Sequence, residues 1–412
     1  MAITIQNTPG SYLSVHDDII FTVVDIVKAS TPLTYTDYRY ICDIYVASTL
    51  VASLKSYPNP ANKCGVFNVS NILRNYVAAT FNPTAATVKA QEMGLDEFRI
   101  VATMKFGEEY GGTSYTNLTV DSARTYYNHY NGRLLGVVTN LSGIIDMPVS
   151  AQPSDTSLST VAEKFPVFTN AVNHYVPYVH STSSAYTIRV KSYSDADALL
   201  TTQDITVTPA AANNLISNNI SPACINAAFA NTINTAVASY YTVQFVTANI
   251  VLDRILKFKL VCEAKFTVHS IHFLNRYGGF ETRQFTKVSR KVIDINRSEF
   301  GRLGYTMDSS GVVTYKNANN VYNEQRSVFH AGYKEKMVLN TDILSDNEYL
   351  WLADLILSPL VYIEQADVNG TIYFVPCVIT GNDYEFRKRV NDTLTNLTIN
   401  IEFGERYNSQ FR

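Results

Sequence analysis

A few residues in this chain have side chains whose type and spacing could do chemistry. Glu108 and Glu109 stand together in FGEEYGG, and two carboxylates are the acid and base of glycoside hydrolysis. Adjacent side chains on a strand point to opposite faces, so this pair could flank one bond only if the backbone turned there. The segment reads instead as a solvated loop. His269 and His272 are three residues apart, which on a strand again means opposite faces, where one metal could not reach both without a bulge. His174 and His180 flank an aromatic, loop-like segment, HYVPYVH, and two ligands do not complete a metal site. The glycine pairs Gly111-Gly112 and Gly278-Gly279 lack the following helix and lysine that phosphate binding needs, and GxSxG, HExxH and GxGxxG do not occur. No catalytic residue, cofactor or metal is therefore expected. The five cysteines, Cys42, Cys64, Cys224, Cys262 and Cys377, show no CxxC and an odd count. Buried free thiols and a reducing site of synthesis follow.

The stretch Lys265 to Ile295 carries a different kind of chemistry. It runs through KFTVHSIHF and LNRYGG into FETRQFTKVSRKVIDI. The glycines supply positive φ for a tight connection, so the stretch reads as a hairpin. A slip in spacing between Val268 and Ile271 fits a β-bulge. From Arg254 to Lys291 there are nine Lys or Arg against two acids, Glu263 and Glu281. Basic residues close to Phe280 and Phe285 suit nucleic-acid backbone contact with stacking. Against this, the whole chain has a pI near 6.2, where dedicated binders are strongly basic. Contact with an acidic neighbouring subunit accounts for the charge equally well, and plain solvent exposure is the third reading. In either of the first two, one face of the hairpin is buried and the other presented.

The elements that must position these residues are mostly strands. Ile19 to Val27, Tyr38 to Val46 and Phe98 to Phe106 are β-branched or aromatic runs. Asn68 or Ser70 can cap a short helix bearing Ile72, Leu73, Tyr76 and Val77. From Met147 to about Asn249, Pro, Ser, Thr, Ala and Asn dominate. A helix starting near Ser221-Pro222, with Ile225, Phe229 and Ile233 on one stripe, would bury little area there. The last part ends with LSDNEYLWLADLILSP, in which Ser345 and Glu348 have capping-box spacing and Leu344 can staple onto Tyr349. Strands VYIEQ, TIYFVPCVIT and LTNLTINIEF follow, the last alternating Leu397, Ile399 and Ile401 inward.

The expected fold class is mainly β with minor α. Several β-sandwich or β-barrel-like domains are expected, with a lone C-terminal helix at 345–358 packed on a sheet. The expected divisions are an N-terminal β domain at 1–145, a small or inserted Ser/Thr/Ala/Asn-rich domain at 146–253, and a C-terminal β domain at 254–412. Only 17% of residues are charged while 12% are aromatic, a balance that suits wide surfaces buried in contacts. MAITIQ is not a secretory signal and no apolar run approaches the roughly 18 residues of a membrane helix, so no membrane segment is expected.

Three sets of motifs together resemble structural proteins of tailed phages of Bacteroidota, including the crAss-like group. They are YICDIYV with YPNPANKCGVFNVSNILRNYV; then FGEEYG; then HFLNRYGGFETRQF with WLADLILSPLVYIE, FVPCVIT, YEFRKRVND and LTINIEF. The resemblance covers most of the first 145 and last 150 residues but not the middle. It departs at Tyr277, where related hairpins often carry Leu, and at Phe280, where Trp is common; both keep a large apolar side chain.

This resemblance implies a non-enzymatic virion protein of the tail or neck, made in the host bacterial cytoplasm. It would be a ring, tube or hub component assembled as a six- or twelvefold homo-oligomer around the DNA exit path. Its partners would be other phage tail or neck proteins, with viral DNA contacted in the lumen. Subunit-interface candidates are Arg276, Tyr277, Phe280 and Arg283 in the hairpin, Trp351 and Leu355 on the helix, and Tyr407, Phe411 and Arg412 at the C-terminus. The alternative is a tail adaptor or receptor- and glycan-binding module carried by the middle segment, with TYYNHYNGR at Thr125 as a sugar platform.

Overall fold

The computed structural model describes residues 3–10, 12–84, 87–128, 147–148, 165–247, 250–262, 265–342, 344–381, 396–404 and 407–408. The protein is mainly β, with 51% of the described residues in strands and 8% in helices, arranged in several separate sheets. Two compact units divide it. The first is Met1–Glu263 with His272–Gln284 and Leu350–Pro359; the second is Ala264–Ile271 with Phe285–Tyr349 and Leu360–Arg412.

In the first unit, Arg39–Val46 pairs antiparallel with Thr49–Ser56 on one side and Arg99–Tyr110 on the other. The central strand is buried at six of its eight residues, which explains why YICDIYV departs from strict alternation: both of its faces are covered. Tyr40 and Phe106 from this sheet meet Phe21 and Phe67 of the three-stranded sheet Thr4–Asn7, Ile20–Val24, Gly65–Asn68 in one apolar cluster. Phe106 lies 5.6 Å from Phe21 and 6.1 Å from Phe67, centroid to centroid. The short helix is Ser70–Leu73, continued as a 3-10 turn to Tyr76. Asn68 shapes its start, since its Oδ1 accepts from the Ser70 amide at 3.2 Å and hydroxyl at 2.8 Å.

The middle of the chain is more deeply buried than its polar texture suggests. Leu215–Asn219 is buried at all five positions. It lies between Tyr175–Val179 and Lys89–Met93, so a strand from the first 145 residues shares a sheet with the middle. The amides Asn218 and Asn219 survive there because their polar atoms are bonded. Asn218 accepts from the Tyr186 hydroxyl at 2.7 Å. Asn219 accepts from the His174 and Ser221 amides at 3.0 and 3.1 Å and donates to the Val172 carbonyl at 3.1 Å. These groups do what backbone would otherwise have to do. A five-stranded sheet, ordered Phe165–Phe168, Ile250–Val261, Tyr240–Thr247, Tyr186–Tyr193, Leu199–Val207, brings Phe245 to stack on Tyr178 at 4.6 Å. The expected helix spans Pro222–Ala228, with Pro222 in its first turn and the Ser221 hydroxyl accepting from the Cys224 amide at 3.3 Å. It ends before Phe229, which is exposed, so only Ile225 of the expected stripe is both helical and buried.

The second unit contains Val361–Ala366, Ile372–Ile379, Thr398–Phe403, Arg326–Asn340 and Arg290–Gly301 in that hydrogen-bonded order, with Tyr407–Asn408 also on Arg326–Asn340. Leu397, Ile399 and Ile401 are buried and Thr398 and Asn400 exposed, as the alternation requires. The long helix is Asp346–Leu357, and Ser345 opens it by accepting from the Glu348 amide at 3.2 Å. Trp351 through Leu355 are all buried, while Leu350 and Leu357 are exposed.

Candidate interaction surfaces

The carboxylate pair separates as strand geometry demands, but on a strand and not in a solvated loop. Glu108 and Glu109 belong to Arg99–Tyr110. Glu108 is buried at 2% exposure, accepts from the Tyr38 hydroxyl at 2.9 Å and receives the Lys28 ammonium. Burial, with Tyr40 and the Glu108 charge behind it, pushes the Tyr38 hydroxyl far up, so it stays a donor. Glu109 pairs with Lys55 and accepts from the Ser114 hydroxyl at 3.0 Å. Each carboxylate is committed to a different set of neighbours.

The histidines are likewise structural. His269 Nε2 lies 2.9 Å from the Ser289 hydroxyl and His272 Nδ1 2.8 Å from the Thr282 hydroxyl. His174 is 2% exposed against the Phe258 ring, and neither ring nitrogen has a hydrogen-bond partner. Burial, reinforced by His272 and Arg283, pushes its imidazole down to about 3, so it is neutral. Among the described residues no group of three His, Cys, Asp or Glu could hold a metal. Of the cysteines, Cys42, Cys224 and Cys377 are buried, Cys64 is half-buried and Cys262 is exposed, the last against expectation. Burial raises the thiols of Cys42, Cys224 and Cys377, Cys224 to about 11 and Cys377 to about 12. An open pocket of about 400 Å³ is lined by Phe266, Lys287, Val288, Asn340, Thr341, Asp342 and Asn396, and its two charged groups pair at 3.2 Å.

The hairpin differs from its expected form. Its strands are His269–Leu274 and Phe280–Phe285, so Val268 lies outside and the slip in spacing is a strand end rather than a bulge. All six residues of the second strand are buried, including Glu281 and Arg283. No charged face is presented. The connection is fastened by Asn275, whose Oδ1 accepts from the Tyr277 and Gly279 amides at 3.0 Å each. Gly278 has φ +79, and a Cβ there would sit 2.2 Å from the Asn128 carbonyl oxygen. Only glycine fits that position.

Within the first unit, the structure does bring the hairpin and helix candidates together, as a polar core. Arg276 Nε donates to both Asp354 oxygens at 2.8 and 2.9 Å, and its backbone amide adds a bond at 3.2 Å. Burial opposes the guanidinium charge, but Asp354 outweighs it and the net shift is upward. Trp351 Nε1 donates to Glu281 at 2.6 Å, and its ring lies 6.0 Å from Phe273. Phe280, Arg283, Trp351 and Leu355 are thus buried within the chain itself, which leaves half-buried Arg276 and Tyr277 as the hairpin's exposed margin. Tyr407 pairs through its backbone with Tyr333. Phe411 and Arg412 lie outside the described residues.

No protein-family model and no curated protein matches the chain.

The exposed apolar surface lies elsewhere. Arg290–Gly301 pairs with Arg326–Asn340 over twelve residue positions, and every residue of Arg290–Gly301 is exposed. Of thirty-seven exposed large hydrophobic residues among the described ones, fourteen fall between Val292 and Phe329. That is over a third of them in less than a tenth of the chain, a concentration that marks an interaction surface. Sequence reading missed it by running Phe280 to Ile295 together as one strand. The available signal was the adjacent pair Val292-Ile293 followed by Ile295, which places apolar residues on both faces.

Proposed function

We propose that this chain is a non-enzymatic structural subunit of a phage virion, a tail or neck component that assembles as a closed homo-oligomer around the DNA exit path. The observation that carries this reading is the ribbon Arg290–Asn340, whose exposed apolar residues suit burial against another subunit. Its supports are the resemblance of the flanking thirds to phage structural proteins and the structural commitment of the carboxylates and histidines that first suggested chemistry. Closure of a ring hides the strand edges that each copy would otherwise expose. In this reading viral DNA and other tail or neck proteins are the contacts inside and along the particle. The glycan-binding reading has less support, because Tyr126 and Tyr127 of its expected platform are fully buried.

Light scattering on a sizing column followed by negative-stain imaging tests the proposal. A single six- or twelvefold ring is the expected result; a monomer that neither assembles alone nor appears in purified virions would overturn it.

A further inference from the structure

The ribbon has a property that goes beyond being apolar: among the described residues, its far end has no third strand. Arg326–Asn340 takes Thr398–Phe403 along residues 336 to 340 and Tyr407–Asn408 along residues 332 and 333. Beyond that, residues 326 to 330 and their partners 298 to 301 meet no other described strand, and Arg290–Gly301 ends the order of the described strands of its sheet. A two-stranded ribbon is marginal in water without a surface to lie on. This one also carries a β-bulge. Ser298 faces His330 and Glu299 faces Val328, so Phe329 is the extra residue, and it is 72% exposed. A bulge re-aims a side chain away from the regular ladder, and here the side chain re-aimed is a bare phenyl ring.

Two observations say what covers it. The fourteen exposed apolar residues offer on the order of 1,000 Å², compared with the roughly 800 Å² per partner of a stable protein interface. The charges point away from nucleic acid. Lys291 pairs with Glu335 at 2.6 Å, Arg326 with Glu299 at 2.5 Å, Lys336 with Asp294 at 2.8 Å and Lys334 with Glu402 at 2.6 Å. Half of the eight Lys and Arg residues between 290 and 340 are therefore held by carboxylates. Apolar residues occur on both faces, Val292 and Phe300 on one and Ile293 and Ile295 on the other, whereas a strand lying on a lipid surface needs only one. Building on the subunit reading above, we infer that the ribbon is an arm that a second copy of this chain grips on both faces, with Phe329 as the anchor.

The test is a concentration series of the full-length chain by light scattering, comparing wild type with Phe329→Asp and Ile293→Lys. Val378→Asp, at a 62% exposed position on the strand Ile372–Ile379, serves as the control. The two ribbon variants are expected to weaken assembly by about 100-fold or more, as loss of an interface anchor does, while the control assembles like wild type. Amide exchange across 298–301 and 326–330 should be slow in the wild-type oligomer and fast in the dissociated variants. A wild-type oligomer indifferent to both ribbon substitutions, with fast exchange in those segments, would overturn the arm and leave the subunit reading standing. A wild-type monomer would overturn the arm, and its absence from purified virions would overturn the subunit reading as well. A monomer whose binding to duplex DNA or to phosphatidylglycerol vesicles is lost in Phe329→Asp would give the ribbon to that ligand and overturn the second-copy inference.

Discussion

The hairpin His269–Phe285 and the ribbon Arg290–Asn340 follow each other in the chain and draw on the same residue types: β-branched and aromatic residues interleaved with Arg and Lys. Their fates differ. The strand Phe280–Phe285 is wholly buried, Glu281 and Arg283 included, whereas every residue of Arg290–Gly301 is exposed, apolar residues included. Composition does not decide between them; the supply of partners does. Glu281 has the Trp351 indole and Arg276 has Asp354, so these polar groups can leave water at little cost. The ribbon's ion pairs lie on its surface, and the apolar side chains beside them are left exposed among the described residues.

The largest expected effect falls on the buried side of this comparison. Trp351→Ala removes a ring that is 2% exposed and leaves Glu281 without its donor. Destabilisation of about 3 to 5 kcal/mol is expected by denaturant unfolding. An unchanged unfolding curve with lost assembly would move Trp351 into a subunit interface and erase the contrast. Asp354→Asn should cost about 3 kcal/mol, at the lower end for a broken buried pair because Arg276 keeps some solvent contact. A melting temperature equal to wild type would show that the pair is no more than a surface bridge.

His174 gives the core a pH signature of its own. Its imidazole is pushed from the ordinary 6.5 down to about 3 by burial and by the charges of His272 and Arg283. Below 6.5 the unfolded chain binds a proton there that the folded chain refuses, so stability is complete above that value and falls as pH falls toward 3. Between pH 7.5 and pH 5 the loss from this group is about 2 kcal/mol. His174→Phe should flatten the pH dependence by that amount. His16 and His269, whose values burial also lowers, titrate in both proteins and cancel in the comparison. Parallel stability curves for wild type and variant across this range would mean that His174 is not buried as a neutral base.

Much of the fold was legible because local signals and tertiary packing agree. Ser221-Pro222 and Ser345 open helices where capping chemistry says they should, and Leu397, Ile399 and Ile401 point inward. The failures share a cause. The burial of Asn218-Asn219 inside the polar middle cannot be read locally, because an amide's burial depends on bonds to Tyr186 and Val172, tens of residues away. Glu108 reads as solvated because Lys28 and Tyr38 are distant in sequence. Phe280 and Arg283 are buried although they read as subunit-contact candidates, since a basic strand next to aromatic rings looks the same whether its partners are water or other side chains. The ribbon escaped notice because an apolar strand is ordinarily a core strand.

The smallest stability effect sharpens the comparison most. Phe329→Ala removes as large a hydrocarbon surface as many core truncations, yet Phe329 is 72% exposed. Its unfolding free energy as a dissociated chain should stay within about 0.5 kcal/mol of wild type, the range of an ordinary surface substitution. Trp351→Ala and Phe329→Ala therefore separate two meanings of an aromatic residue in this chain, one read out by unfolding and the other by concentration-dependent mass. Should Phe329→Ala destabilise the dissociated chain by as much as Trp351→Ala, the ribbon would have to fold back onto its own protomer, and the distinction between a core hairpin and an arm would fail.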